Sequence, residues 1–191
     1  MLGLFPQQIV QTPTQVVMLY EYMNVFRVIP LNAKHPEDLL PSYLGNSVGH
    51  FEGDTLVVDT IDQKVGPLSM IDLYGTPFSP ALHVIERYRL IDGPAANNAV
   101  RKHESAYGVN TDFIPDLRFP NGRGDIDRDT SKKGLQVEIT VDDPGVFTKP
   151  WKAVVTYRHV LGEWPEAVCV ENTREFGFDT NPVPIASKPD F

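Results

Sequence analysis

His50 and Glu52 lie two residues apart in a segment whose polar and apolar residues alternate. In a β-strand, both side chains would therefore project from one face. A histidine beside a carboxylate can be held in one tautomer and transfer protons near neutral pH. The spacing predicts a catalytic role for His50. The alternative is that Glu52, next to Gly53 and Asp54, only fixes a turn.

Three charged residues occupy positions that strand alternation assigns to apolar faces: Arg27, Glu86 and Glu171. An isolated charge facing a packed core costs several kcal/mol, so each is expected to be paired or to face a wet cavity. We expect Glu86 and Glu171 to act with His50 as catalytic acids and bases, and Arg27 to bind an anionic or phenolic oxygen. A purely structural Arg27–Glu86 ion pair is the alternative.

Other side chains could contact a bound molecule: Tyr20, Tyr43, His83 and Trp151. Phenol and indole groups combine apolar area with a hydrogen-bonding group. A two-histidine, one-carboxylate metal site could draw on His50, His83 and His159, but their spacing does not require one, and no metal is expected. The chain contains neither a G-x-G-x-x-G nor a Walker-type lysine loop, so we also expect no nucleotide cofactor.

The elements that must position these residues are β-strands. Alternation predicts eight of them, over residues 15–22, 24–30, 47–52, 55–60, 81–91, 135–142, 152–161 and 166–172. The only short helix expected lies near Pro36–Leu40. Short turns and mixed polarity on both faces favour an all-β fold, an antiparallel barrel of eight or slightly more strands whose interior admits one small ligand. We expect residues 1–191 to form one such domain.

Residues 93–134 differ from the remainder because glycine, proline and asparagine interrupt any regular period. So long a segment without predicted structure is typical of a functional element. We interpret it as a lid over one end of the barrel, or as an arm that contacts a second subunit in a homo-oligomer. The alternative is a surface insertion without function.

The segment Gly45–Val58 resembles the motif G-x-S-x-G-x-W-E-G-D-T-L-V-V of a widespread group of bacterial, usually secreted proteins, with Phe51 in place of the tryptophan. Further stretches match in the same order, at residues 11–22, 82–89, 141–151 and 169–172. The resemblance implies a calycin-like β-barrel and no particular reaction. The insertion at 93–134 and the lack of an export signal depart from the family pattern.

Charge and composition exclude several classes of function. The 191-residue chain carries 17 Lys and Arg against 25 Asp and Glu, a net charge of −8, which disfavours nucleic-acid binding. It has no long apolar run, so no membrane association is expected. Its single cysteine excludes an intrachain disulfide and Cys-rich metal sites. As written, the sequence indicates the cytoplasm, and a removed signal peptide would instead indicate the periplasm or secretion.

These observations favour a cofactor-independent lyase that acts on a hydrophobic, aromatic small molecule by acid/base catalysis, through loss of water, carbon dioxide or a small aldehyde. A cofactor-free isomerase fits the same residues. A non-catalytic protein that binds lipophilic ligands is the main alternative, and it predicts that the interior charges pair with each other.

Overall fold

The computed structural model describes residues 7–20, 25–72, 74–106 and 127–159. Within these ranges the chain forms eight strands and one helix: β1 (Gln7–Gln11), β2 (Gln15–Tyr20), β3 (Phe26–Pro30), β4 (Asn46–Glu52), β5 (Thr55–Ile61), β6 (His83–Ile91), α1 (Gly93–Ala106), β7 (Gly134–Asp142) and β8 (Trp151–Tyr157). Seven of these strands correspond to predicted ones. β1 was not predicted, and the predicted strand at 166–172 lies outside the described residues.

The strands form two antiparallel sheets. The smaller sheet has the order β1-β2-β3 and the larger one the order β4-β5-β6-β7-β8. A bridge between Leu31 and Gly49 connects the end of β3 to β4. The prediction of a mostly β, antiparallel fold is confirmed, but the strands of the described ranges do not close into a barrel.

The core lies between the two sheets. Val16, Met18 and Ile29 of the smaller sheet pack against the larger sheet and are at most 1% exposed. The larger sheet contributes Leu56, Val58, Tyr88 and Val137. We call the face of each sheet that meets this core its inner face. Because side chains alternate along a strand, the neighbours of the core residues project from the outer face.

A tight turn sets the register of the β4–β5 hairpin. Glu52 pairs with Thr55, so only two residues connect the strands. The first of them, Gly53, has a φ of 62°, a conformation that glycine adopts without the steric cost that other residues incur. This register places Ser47 opposite Thr60 on the inner face and His50 opposite Val57 on the outer face.

The short helix predicted near Pro36–Leu40 is wrong: this segment has no regular structure. Pro36 and Pro41 bracket it, and so few residues cannot nucleate a helix without strong tertiary contacts.

The helix lies instead at the start of the predicted insertion 93–134. Asp92 caps it: its Oδ1 accepts a hydrogen bond of 2.8 Å from the Ala95 amide. Ala96 is fully buried and packs against Gly134. A Cβ added at position 134 would lie only 2.4 Å from the Ala96 Cβ. The glycine thereby permits close contact between α1 and β7. The described ends of the insertion therefore pack against the larger sheet. Residues 107–126, the middle of the predicted lid or arm, lie outside the described ranges.

A buried carboxylate connects the loops that flank β6 and β7. Asp143, 0% exposed, accepts hydrogen bonds from the Ser79 amide (2.6 Å), the Ser79 hydroxyl (2.5 Å) and the Gly145 amide (3.0 Å). Burial alone would raise the pKa of Asp143, but these hydrogen bonds outweigh it and lower the pKa. Asp143 therefore stabilises the loops as an anion.

Candidate functional site

Arg27 on β3 and Glu86 on β6 form a bidentate ion pair between the two sheets. Arg27 Nη1 donates to Glu86 Oε1 at 3.2 Å, and Nη2 donates to Oε2 at 2.7 Å. The side chains are only 11% and 4% exposed. Both residues therefore project inward, as the sequence predicts. The predicted alternative, an ion pair between them, is present.

Hydroxyl groups form further hydrogen bonds with this pair. Arg27 Nη2 also donates to Ser47 Oγ on β4 and Thr60 Oγ1 on β5, both at 3.0 Å. The Tyr88 hydroxyl donates to Glu86 Oε1 at 3.0 Å. Burial opposes the charge of Arg27, but the carboxylate of Glu86 more than offsets it, and the pKa of Arg27 is raised.

Three tyrosines surround the pair, and each keeps its proton. Arg27 Nη1 donates to the Tyr20 hydroxyl at 3.4 Å. Burial raises the pKa of Tyr20, although nearby Arg27 partly offsets the effect. Burial, together with the negative charge of Glu86, raises the pKa of Tyr88 well above its usual value. Burial, with smaller contributions from Tyr20 and Glu86, also raises the pKa of Tyr157. These phenols are therefore neutral hydrogen-bonding groups at physiological pH.

We call this group the interior polar cluster. Its members share a position between the inner faces of the two sheets: Tyr20, Arg27, Ser47, Thr60, Glu86 and Tyr88.

Two side chains at this cluster have buried polar atoms that find no partner among the described residues. Both amide atoms of Gln7, Oε1 and Nε2, are shielded from solvent and make no hydrogen bond there, and the same is true of Arg27 Nε. Gln7 pairs with Tyr20 in the β1–β2 ladder, which places it on the inner face beside the cluster. An unsatisfied buried polar group costs about 1–3 kcal/mol. A bound molecule that supplied the missing partners would recover part of this cost.

An apolar surface lies next to the cluster on the inner face of β7 and β8. Its side chains are only half-buried, whereas the core residues Val58 on β5 and Val137 on β7 are fully buried. We call it the apolar strip: Leu135, Ile139, Trp151, Ala153, Val155 and Tyr157. Ile139 pairs with Glu86 across the sheet, so the strip adjoins the polar cluster directly.

His50 lies on the opposite side of the larger sheet. It is half exposed and its Nε2 is 3.3 Å from Glu52 Oε1, which confirms that the two residues share a face. Glu52 also binds Arg87, and the hydrogen bonds from Arg87 and His50 lower the pKa of Glu52. Because His50 is on the outer face and Glu86 on the inner face, the larger sheet lies between them. The structure therefore does not bring these two predicted catalytic residues together.

A second outer-face cluster contains His83 and a histidine that sequence reasoning missed. His83 Nε2 and His35 Nε2 lie 2.9 and 3.2 Å from Asp59 Oδ1. His35 Nδ1 lies 2.6 Å from Asn46 Oδ1. These contacts fasten the loop after β3 to the larger sheet. They also place His83 away from Arg27 and Tyr20, with which it was predicted to bind a ligand.

The structure does not bring the three suggested metal ligands together. Val57 pairs with His50 on one side and with Arg87 on the other, so His50 lies level with Arg87. His83 is four residues from Arg87, which is about 13 Å along a strand. His159 follows β8 and is exposed. Among residues 7–20, 25–72, 74–106 and 127–159, no group of three His, Cys, Asp or Glu side chains is arranged to hold a metal.

The remaining predicted site residues are scattered. Tyr43 is 79% exposed and contacts Lys64, whose Nζ is 5.1 Å from the ring centroid. Trp151 packs edge-on against Phe147, with centroids 5.9 Å apart, at the start of the apolar strip. Glu171 lies outside the described residues. Of the predicted set, the inner faces therefore hold Arg27, Tyr20, Glu86 and Trp151.

No helix in the described part of the chain is long and apolar enough to cross a membrane. Comparison of the chain with protein-family models, with curated proteins and with solved structures gives no match.

Proposed function

We propose that this protein binds a hydrophobic, aromatic small molecule between its two sheets. The molecule's apolar body would lie on the apolar strip, and its polar end would meet the interior polar cluster. The observation that carries the proposal is the direct junction of a half-buried apolar face with a buried, hydrogen-bonding cluster. Small-molecule sites typically combine a mostly apolar surface with a few fixed polar groups.

The contacts of Glu86 favour binding over turnover. Both of its carboxylate oxygens already accept hydrogen bonds, one of them from both Arg27 and Tyr88. To transfer a proton, Glu86 would have to leave Arg27 and thereby expose two unpaired buried charges. His50 is on the outer face, so it could not serve as the acid or base of a lyase acting between the sheets. A binding protein requires none of these groups to move.

Closure into a calycin-like barrel belongs to the same proposal. β1 and β8 are the free edges of the two sheets in the described ranges. Alternation at residues 166–172 predicts one more strand, which could pair with a free edge. A closed barrel would surround the ligand and leave no strand edge exposed.

Adjacent residues on β8 provide a test. Ala153 pairs with Ile139 and lies in the apolar strip, whereas Val154 is 57% exposed on the outer face. We expect the wild-type protein to enhance the fluorescence of the neutral apolar dye N-phenyl-1-naphthylamine on binding. An Ala153→Trp variant would fill the strip and weaken binding at least tenfold, while Val154→Trp would change the Kd less than twofold.

The proposal fails if the dye does not bind or if the two tryptophan variants weaken binding equally. Mass spectrometry of aromatic compounds recovered from the protein separates binding from catalysis. A binding protein returns each compound with its mass unchanged. Loss of water, carbon dioxide or a small aldehyde would instead support a lyase. An unchanged mass with a new retention time would support an isomerase.

A further inference from the structure

Gln7 has a side chain that could select the ligand of the proposed site. Both halves of its amide are buried beside Tyr20, and neither has a partner in the part of the chain that the structure describes. A primary amide presents one donor group and one acceptor within a single plane. The complementary group is a second amide, which returns a carbonyl to the Nε2 hydrogen and an N–H to Oε1.

The charge of the interior polar cluster disfavours an anionic ligand. Among the described residues, Arg27 is the cation that the inner faces place beside the apolar strip. Glu86 already binds both Nη atoms of Arg27. A carboxylate brought to this position would be buried close to Glu86 without a cation of its own, an arrangement that proteins avoid. The neutral hydroxyls of Tyr20 and Tyr157 can donate a hydrogen bond but cannot neutralise a charge.

We propose, on the basis of the proposed function, that the ligand carries a neutral carboxamide or lactam group that pairs with the Gln7 amide through two hydrogen bonds. This replaces the sequence-based expectation that Arg27 binds an anionic or phenolic oxygen. Because neither Gln7 atom touches solvent, the groups that cover the Gln7 amide must move when the ligand enters.

The test compares two probes that differ only in the polar group, 2-naphthamide and 2-naphthoate, by titration calorimetry of the full-length protein at pH 7.5. We expect 2-naphthamide to bind at least tenfold more tightly. A Gln7→Met variant keeps the side-chain length but lacks both hydrogen-bonding atoms, so it should lose this preference. The control is Gln8→Met: Gln8 pairs with Leu19 on the outer face and is exposed, so the preference should persist.

Each outcome has one meaning. Equal or tighter binding of 2-naphthoate to the wild-type protein overturns the amide assignment, even if N-phenyl-1-naphthylamine binds as proposed. A preference for 2-naphthamide that survives in Gln7→Met overturns the role of Gln7. If neither naphthalene compound nor the dye binds, the proposed function itself fails. The wild-type comparison needs no variant to fold.

Discussion

An Arg27→Met variant is expected to lose about 3–5 kcal/mol of unfolding free energy, because the carboxylate of Glu86 would remain buried without its cation. Glu86 is 4% exposed, and among the described residues no other guanidinium pairs with it. Ser47 and Thr60 would also each lose the hydrogen bond that they accept from Arg27. Urea denaturation, followed by circular dichroism, measures the loss.

The control for this prediction is Arg89→Met on the same strand as Glu86. Arg89 is exposed and contacts the amide of Gln136, so we expect a change within about 0.5 kcal/mol. The double variant Arg27→Met, Glu86→Leu removes both charges. Its loss of unfolding free energy should be smaller than the sum of the two single-variant losses by about 2–3 kcal/mol. Strictly additive losses would show that the pair does not couple the two sheets.

Alkaline pH is expected to destabilise the protein because of its buried tyrosines. Tyr88 is 3% exposed, and its pKa is well above the usual value near 10. Above about pH 10 the phenol ionises in the unfolded chain but stays protonated in the native state. The unfolded state is therefore favoured by about 1.4 kcal/mol per pH unit for this residue alone. The contribution of Tyr88 to the free energy of unfolding is fully present below about pH 10 and is lost as the pH rises further.

A Tyr88→Phe variant should show a shallower decline in urea midpoint between pH 9.5 and 11, although it is less stable at pH 8 because Glu86 loses a hydrogen bond. Tyr74, which is 85% exposed, supplies the control: Tyr74→Phe should keep the wild-type slope. Identical slopes in all three proteins would contradict the assignment of Tyr88 as a buried neutral phenol.

The strands could be predicted from the sequence because their apolar residues alternate, and the same alternation identified Arg27 and Glu86 as inward-facing charges. β1 was missed because its sequence, QQIVQ, contains only two apolar residues in a row. The helix after Asp92 was missed because it carries few large apolar residues and buries itself mainly through Ala96 against Gly134. Small-residue packing leaves no periodic signal in a sequence.

The composition of the site depended on pairing between distant strands. A one-residue change of register moves every side chain to the other face, so the sequence alone could not place His50 and Glu86 on opposite faces. Ser47 and Thr60 looked like ordinary polar strand residues; only the β4–β5 register makes them neighbours of Arg27. The closure of two sheets into a barrel likewise depends on long-range pairing rather than on local pattern.

Tyrosine-ring NMR spectra recorded with and without 2-naphthamide test the central claim most directly, because tyrosines lie both at the interior polar cluster and on the surface. With resonances assigned by single Tyr→Phe variants, we expect Tyr20, Tyr88 and Tyr157 to shift on addition of the probe. Tyr43 and Tyr74, which are 79% and 85% exposed, should not move. Shifts confined to Tyr43 and Tyr74, or no shifts at saturating probe, would contradict a binding site between the sheets.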